Sequence, residues 1–566
     1  ITHVAYPSRV TIFSSALNPQ QHQRAIDALK NQKFDLLVIG GGVNGAGIAL
    51  DAASRGLTVA LIESQDLASG TSSRSSKLIH GGLRYLEQYD FKLVREALHE
   101  RELMVKTLAP HLVKPVSFIY PLHEKVKDRT YIGAGLALYD ALRGFKRALP
   151  NHKHMSQKTI SEIAPSLRLD IVTGGIKYFD AQVDDARHTM MIARTAARHG
   201  AHIATRVSAR ELLRDGKRII GAKVRCEETG EEFDVQAGVT VMATGVWTDP
   251  LYDAMGLKPG YRVRMSKGVH ILLPKSAISS ETGIILKTSV SVLFIIPWGD
   301  QWLLGTTDTD YTGDRNEPLT TSDDVNYIID QANRVLDPHI KRSDVIGVFA
   351  GLRPLVSAAP DAPTTQLSRE HIVDHPAPGF VSIAGGKYTT YRVMSEDAVN
   401  EAAPDLRRIV PDSCTENLPL VGAEGYSVLM NQLPLLAKQF NLSENAILHL
   451  ANRYGSLTED LLEIISQDRS LAEAISPESP ILKAEIIYSV THEGARSIAD
   501  VLSRRTRLSF ELKDRGLSIV SEVANLISPI LSWNDQSRND SIAEYENLIQ
   551  RELSELESHI KVSVNS

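Results

Sequence analysis

FDLLVIGGGVNGAGIALDAASRGLTVALIES, Phe34 to Ser64, decides the fold. An apolar run ends in three glycines, an alanine-rich stretch of helical period follows, and a second apolar run closes on Glu63. Strand, glycine turn, helix and strand within about 30 residues make a βαβ unit. Gly40, Gly42 and Gly45 have the spacing GxGxxG at the strand-to-helix junction. There glycine permits the tight turn, and its missing side chain lets backbone N–H groups approach a pyrophosphate at the helix N-terminus. Glu63, ending the second strand, stands near the roughly 20-residue offset of a carboxylate that accepts from ribose hydroxyls. Ala46, Gly47 and Ala49 are small enough for close packing of helix on sheet.

Two later segments extend the pattern. VTVMATG, Val239 to Gly245, is another apolar strand ending in a small-residue turn, and IAGGKYTT, Ile383 to Thr390, is a third junction of this type. A nicotinamide enzyme usually completes its cofactor domain in one block, whereas here the unit is interrupted, which favours FAD over NAD. The expected fold is an α/β FAD-binding Rossmann-like domain of the glutathione-reductase-like superfamily. It spans residues 34–403 discontinuously, with substrate-binding insertions at about 88–180 and 261–350. The second insertion is rich in strand patterns such as VHILLP and SVLFIIPW. A polar, helical leader occupies 1–33. Residues 404–566 change to helical period, as in LTEDLLEIIS, and form a C-terminal helical domain.

Composition narrows the function classes. A chain of 566 residues is long enough for two or three domains. Net charge is −6, from 62 basic against 68 acidic residues, so no global field suits nucleic acid. Cys226 and Cys414 match no metal-ligand spacing, and a reducing cytoplasm fits them. The first 33 residues lack the layout of a secretory signal, and no run reaches the roughly 18 apolar residues of a membrane span. YIGAGLALYDALRGFKRAL, Tyr131 to Leu149, is the segment suited to lie in a membrane interface, with Arg143, Lys146 and Arg147 toward headgroups.

The ordered runs IGGGVNGAGIALDAASRG, SSKLIHGGLRYLE, VDDAR (183–187), GTTDTDY (305–311), GLRPL (351–355) and GGKYTTYR (385–392) resemble the FAD-dependent glycerol-3-phosphate dehydrogenases. The resemblance covers Phe34 to beyond Leu508. It implies oxidation of sn-glycerol 3-phosphate to dihydroxyacetone phosphate, with electrons passing from FAD to a membrane quinone. It also implies a peripheral enzyme on the cytoplasmic face of the cell membrane, with a homodimer as an open possibility. In the family's arrangement Thr71, Ser72, Ser76, Lys77 and Leu83 line the cofactor, with Asn44, Gly82, Val207, Gly245, Trp247, Gly386 and Thr389 completing the set.

A phosphate dianion needs guanidinium or ammonium donors, and Arg84, Arg353 and Lys387 each stand by a glycine turn of a resembling motif. With Tyr85 they are expected to face substrate. Oxidation of an alcohol needs a base or an alkoxide-stabilising cation within hydrogen-bond reach of the hydroxyl. His270 is the first candidate for the base, Arg353 the alternative partner of the alkoxide, and Lys267 a support for either. The helix after GGKYTTYR turns its N-terminus toward a reduced flavin, with Thr389 and Thr390 as candidate caps or flavin contacts. Competing readings are a glycerol-3-phosphate oxidase using oxygen, a flavin oxidase for an amino or 2-hydroxy acid, and a non-catalytic flavin sensor.

Overall fold

The structure, a computed structural model, describes residues 13–86, 89–144, 148–288, 292–357 and 370–558. Among them, eight strands form one sheet and ten another.

The first sheet grows from the glycine-turn unit. Lys33–Ile39 pairs in parallel with Val59–Glu63 on one side and Glu232–Met242 on the other. His202–Thr205 and Phe380–Gly385 extend it in parallel at either end, and His371–Ala377 adds an antiparallel edge. Both faces are buried, which is why these strands read as continuous apolar runs. Leu36 and Val38 face the helices Val43–Ser54, Asp185–Arg198 and Tyr391–Ala402, whereas Leu37 and Ile39 point to the opposite layer. That layer contains Ala25, Ile26, Ala28 and Leu29 of the helix Pro19–Asn31. The leader is therefore helical as expected, but its helix is packed into the cofactor domain rather than appended to it.

The second sheet draws on both expected insertions. From the first come Lys114–Leu122, Lys153–Ser156 and Gly174–Gln182; from the second come Arg262–Pro274 and the strands that follow it to Tyr311. A short parallel pairing, Gly283 with Phe118 and Ile284 with Ile119, joins the two. Gly347–Ser357 lies antiparallel along Arg262–Pro274, from Arg262 opposite Ser357 to Leu272 opposite Gly347. The first insertion also supplies the helices Phe91–Leu103 and Lys127–Leu142.

The C-terminal region is helical from Tyr426 to Ser558, with its own apolar core around Ile486, Val501, Val523 and Ile527. It is tied to the cofactor domain by buried ion pairs: Arg505 with Asp66 at 2.7 Å, and Arg187 with Glu493 at 2.7 Å. No helix among the described residues is long and apolar enough to cross a membrane.

Candidate active site

A cavity of about 560 Å³ opens at the carboxyl ends of the parallel strands and runs to the second sheet. Ligands in open α/β sheets bind at this edge because the glycine turns and helix N-termini converge there. Gly40 to Asn44, Glu63, Val207, Gly245 and Trp247 line one end, and His270, Arg353, Tyr85, Gly386, Lys387 and Thr389 the other. Thr71, Ser72, Arg74 and Ser76 lie along its wall.

At the first end the glycine turn is fixed by contact. Gly40 has φ +114°, and a Cβ there would stand 2.6 Å from the carbonyl of Ala243. A Cβ on Gly45 would stand 1.8 Å from the carbonyl of Gly40. Gly45 therefore shapes the turn from behind without lining the cavity. The Ser72 hydroxyl accepts from the Val43 N–H at 2.9 Å at the start of the helix, leaving its own proton available to an anion there. Glu63 accepts from the N–H groups of Gly41 at 2.7 Å and Gln65 at 2.8 Å. Burial pushes its carboxyl above the usual range, partly opposed by those two N–H groups. Oε1 also accepts from the Ser64 hydroxyl at 3.2 Å, which leaves Oε2 with a lone pair for a further donor.

At the second end cross-strand register gathers the chemistry. His270 is opposite Phe349 on one neighbouring strand and opposite Gly305 on the other. Its ring stacks on Phe349 with centroids 4.9 Å apart and leans over Gly305, where a Cβ would meet the imidazole at 2.2 Å. Nε2 is 2.9 Å from the Ser76 hydroxyl, while Nδ1 is buried without a hydrogen-bond partner among the described residues. Burial, then the nearby charges of Arg353 and Lys77, hold the imidazole well below its ordinary pKa, so it is neutral and able to accept a proton.

Arg353, opposite Ser266, lies on the same face as His270 because the two pairs are four residues apart on a strand. Its guanidinium donates to the Thr307 carbonyl at 3.2 Å, to Thr306 Oγ1 at 3.0 Å and to Ser266 Oγ at 3.3 Å. The motif GTTDTDY thus supplies the loop that holds this cation. At the same end the Lys387 ammonium lies 3.6 Å from the centroid of the Tyr85 ring.

Several expected residues stand elsewhere. Lys267 is an odd number of positions from His270, so its side chain points to the opposite sheet face, where it pairs with Asp324 at 2.7 Å. Lys77 is fully buried and bonded to Asp185 at 2.8 Å; it faces an aromatic box rather than the cavity. Gly82 stands just behind Tyr85 and Lys387, and Leu83 packs into apolar clusters, so neither lines the cavity. The Arg84 side chain lies outside the described residues. Thr390 occupies the N-cap position of the Tyr391 helix but bonds the Lys387 carbonyl, and Thr389 bonds His80, so neither hydroxyl caps that helix. Asn316, Ser208, Arg210 and Tyr388 line the cavity without having been expected from the sequence.

Residues 35–392 match the family model described as FAD dependent oxidoreductase, and residues 413–538 that of the C-terminal domain of alpha-glycerophosphate oxidase. The glycerol-3-phosphate dehydrogenase of Mycobacterium leprae (strain TN) is 46% identical over 540 residues, which is 95% of this chain and 92% of that protein. The chain belongs to the FAD-dependent glycerol-3-phosphate dehydrogenase family. The human mitochondrial glycerol-3-phosphate dehydrogenase shares 34% identity over 95% of this chain and 77% of its own. The crystal structure of the glycerol-3-phosphate dehydrogenase from Bacillus halodurans complexed with FAD superposes with TM-score 0.78 at 27% identity, covering 95% of this chain and 98% of that one.

The cofactor of this family member is FAD. Its residues fit that group: a helix N-terminus with a free-facing glycine turn suits the pyrophosphate, and Glu63 suits the ribose hydroxyls. A Cβ on Gly42 would come within 3.2 Å of the Ser72 hydroxyl and crowd the turn at the helix N-terminus. Gly40 to Gly42, Asn44, Glu63, Thr71 and Ser72 would hold the dinucleotide, with Gly386 and Thr389 toward the flavin.

Proposed function

We propose that this protein oxidises sn-glycerol 3-phosphate to dihydroxyacetone phosphate and passes the electrons to a membrane quinone. The observation that carries this reading is a neutral, buried His270 in one cavity with the cations Arg353 and Lys387 at the same end. Bound FAD supplies the acceptor for the hydride leaving C2 of the substrate.

The chain's own residues account for the rest of the chemistry. His270 takes the proton of the 2-hydroxyl through Nε2, by way of the cavity-lining Ser76 hydroxyl 2.9 Å from it, because Nδ1 is buried away from the cavity. Arg353, half-buried and held by the Thr306–Asp308 loop, stabilises the negative charge developing on that oxygen. Lys387 and Tyr85 take the phosphate end, with an ammonium and a phenol as donors.

A quinone acceptor requires contact with a membrane. The helix Lys127–Leu142 supports this, because Tyr131 is 61% and Leu138 40% exposed on it, with Val126 76% exposed just before. Such an exposed apolar stripe suits the interface of a bilayer, and the protein then sits on the inner face of the cell membrane. Arg143 takes no part in headgroup contact, since it is buried on the carbonyls of Leu149 and Pro150. Lys146 and Arg147 lie outside the described residues.

The test is an anaerobic titration. The purified yellow protein is expected to bleach on adding sn-glycerol 3-phosphate and to recover its colour rapidly with a quinone analogue and slowly with oxygen. Absence of bleaching would remove the substrate assignment. Rapid recovery in oxygen with stoichiometric peroxide would replace the quinone by oxygen and make the protein an oxidase.

A further inference from the structure

The helical C-terminal domain touches the wall behind His270. Phe510 packs against Phe349 at 5.1 Å between centroids, and Phe349 carries the His270 ring on its surface. A cavity of about 80 Å³ lies beside this contact, lined by Ser73, Phe349, Arg507 and Phe510 among others. The Phe510 and Phe349 rings both border that space, and the His270 ring, on Phe349, does not.

Three residues earlier, Arg507 reaches the segment that bears Ser76. Its guanidinium donates to the Ser73 carbonyl at 3.1 Å, to Asp184 at 2.6 Å, and to Asp185. Asp185 in turn accepts from the Ser75 N–H at 2.9 Å, the Ser75 hydroxyl at 2.7 Å and the Lys77 ammonium at 2.8 Å. Ser76, the partner of His270 Nε2, is flanked on both sides by residues that Asp185 holds. The Lys77 ammonium completes the arrangement, 4.9 Å from the Phe349 centroid and 5.4 Å from that of Phe510.

We propose that the C-terminal domain is part of the catalytic apparatus: Phe510 and Arg507 are positioning residues that keep the His270 imidazole dry and fix the Ser76 hydroxyl against it. The inference rests on His270 being the base of the proposed reaction. Phe510 acts by filling space beside Phe349 so that the small cavity does not widen toward the imidazole, and Arg507 by pinning the Ser73–Lys77 backbone through Asp185. The charged groups around the imidazole are Arg353 on the adjoining strand and Lys77 on the Ser76 segment, with Asp185, Arg507 and Glu511 behind them. None but Arg353 and Lys77 bears on the ring directly.

The test compares Phe510→Leu, Phe510→Tyr and Arg507→Lys with wild type in the FAD-loaded enzyme. Readouts are flavin content and the anaerobic bleaching rate between about pH 5.5 and pH 8.5, with His270→Gln as reference. Wild type is expected to bleach at a nearly constant rate across this range. In Phe510→Leu and Arg507→Lys the rate is expected to fall roughly tenfold from pH 8 to pH 5.5, as the ring regains an ordinary histidine pKa near 6.5. Flavin content is unchanged, and Phe510→Tyr restores the flat profile. Either variant tracking wild type, or losing rate equally at every pH, would overturn the inference while leaving the function proposed above intact. His270→Gln bleaching at the wild-type rate would overturn the base assignment and the inference together.

Discussion

Replacing Gly45 by alanine tests the glycine turn on which the FAD site depends. The new Cβ would stand 1.8 Å from the Gly40 carbonyl oxygen and 2.9 Å from its carbon. Both obstructing atoms are backbone, so no side chain can swing away, and the turn has to open by more than 1 Å to reach ordinary contact. Overpacking of this kind costs about 1–3 kcal/mol, and here the upper half of that range applies because the obstacle is main chain. FAD binding requires the closed turn, so the same penalty is expected in affinity, roughly a 30- to 150-fold weaker Kd. The assay is fluorescence titration of apoprotein with FAD, beside a thermal melt of the apoprotein. Gly135→Ala is the control, because nothing lies within 4 Å of its Cβ and it sits inside the helix Lys127–Leu142. That change is expected to stabilise by up to about 1 kcal/mol through helix propensity and to leave FAD binding alone. If Gly45→Ala binds FAD with wild-type Kd and melts at the wild-type temperature, the turn is not the rigid cradle described above.

Further outcomes follow from the same geometry. His270→Gln is expected to slow anaerobic bleaching about 10²- to 10⁴-fold, the usual contribution of a positioned base, with FAD content unchanged; stopped-flow rates near wild type would remove the histidine from the chemistry. Arg353→Ala and Lys387→Met each delete a charged donor worth about 1.5–3 kcal/mol, so kcat/KM for glycerol 3-phosphate is expected to drop roughly 10- to 150-fold in steady-state assays while flavin stays bound. Burial holds His188 down to about 4, so the folded protein keeps it neutral while the unfolded chain protonates below pH 6.5. Its contribution is whole above pH 6.5 and is lost as pH falls toward 4, by about 1.4 kcal/mol per unit. In His188→Gln the stability gap to wild type, read from urea midpoints, is expected to shift in the variant's favour between pH 7 and pH 4.5; a gap constant with pH contradicts a buried neutral imidazole.

The cofactor end was legible because its signals are local: Gly40, Gly42 and Glu63 lie within one βαβ unit, and the sequence spacing is also the spatial arrangement. His270 and Arg353 were singled out from motif and chemistry, and both line the cavity. Their being on one face follows from a register between strands that no single motif encodes. Lys267 was misplaced for a reason visible in MSKGVHILLP itself, since strand alternation puts residues three apart on opposite faces. Lys77 misled because its neighbours Ser75 and Ser76 look solvated, while the acid that buries its charge, Asp185, is 108 positions away. The role of the C-terminal domain was illegible for the same reason on a larger scale: Arg507 and Asp184 are separated by 323 positions.

The parallel pairing of Gly283–Ile284 with Phe118–Ile119 also bears on how the molecule is made. The first half of the second sheet pairs within residues 78–182, but the two halves cannot join until residues 283–284 have been synthesised, and the strand beside His270 arrives only with residues 347–357. The first sheet waits still longer, for the strand ending at Gly385. Contacts of such sequence separation make for slow folding. A nascent chain released before that strand leaves the first sheet incomplete even where the second is whole, so retained FAD would report that the last element of the cofactor sheet is in place.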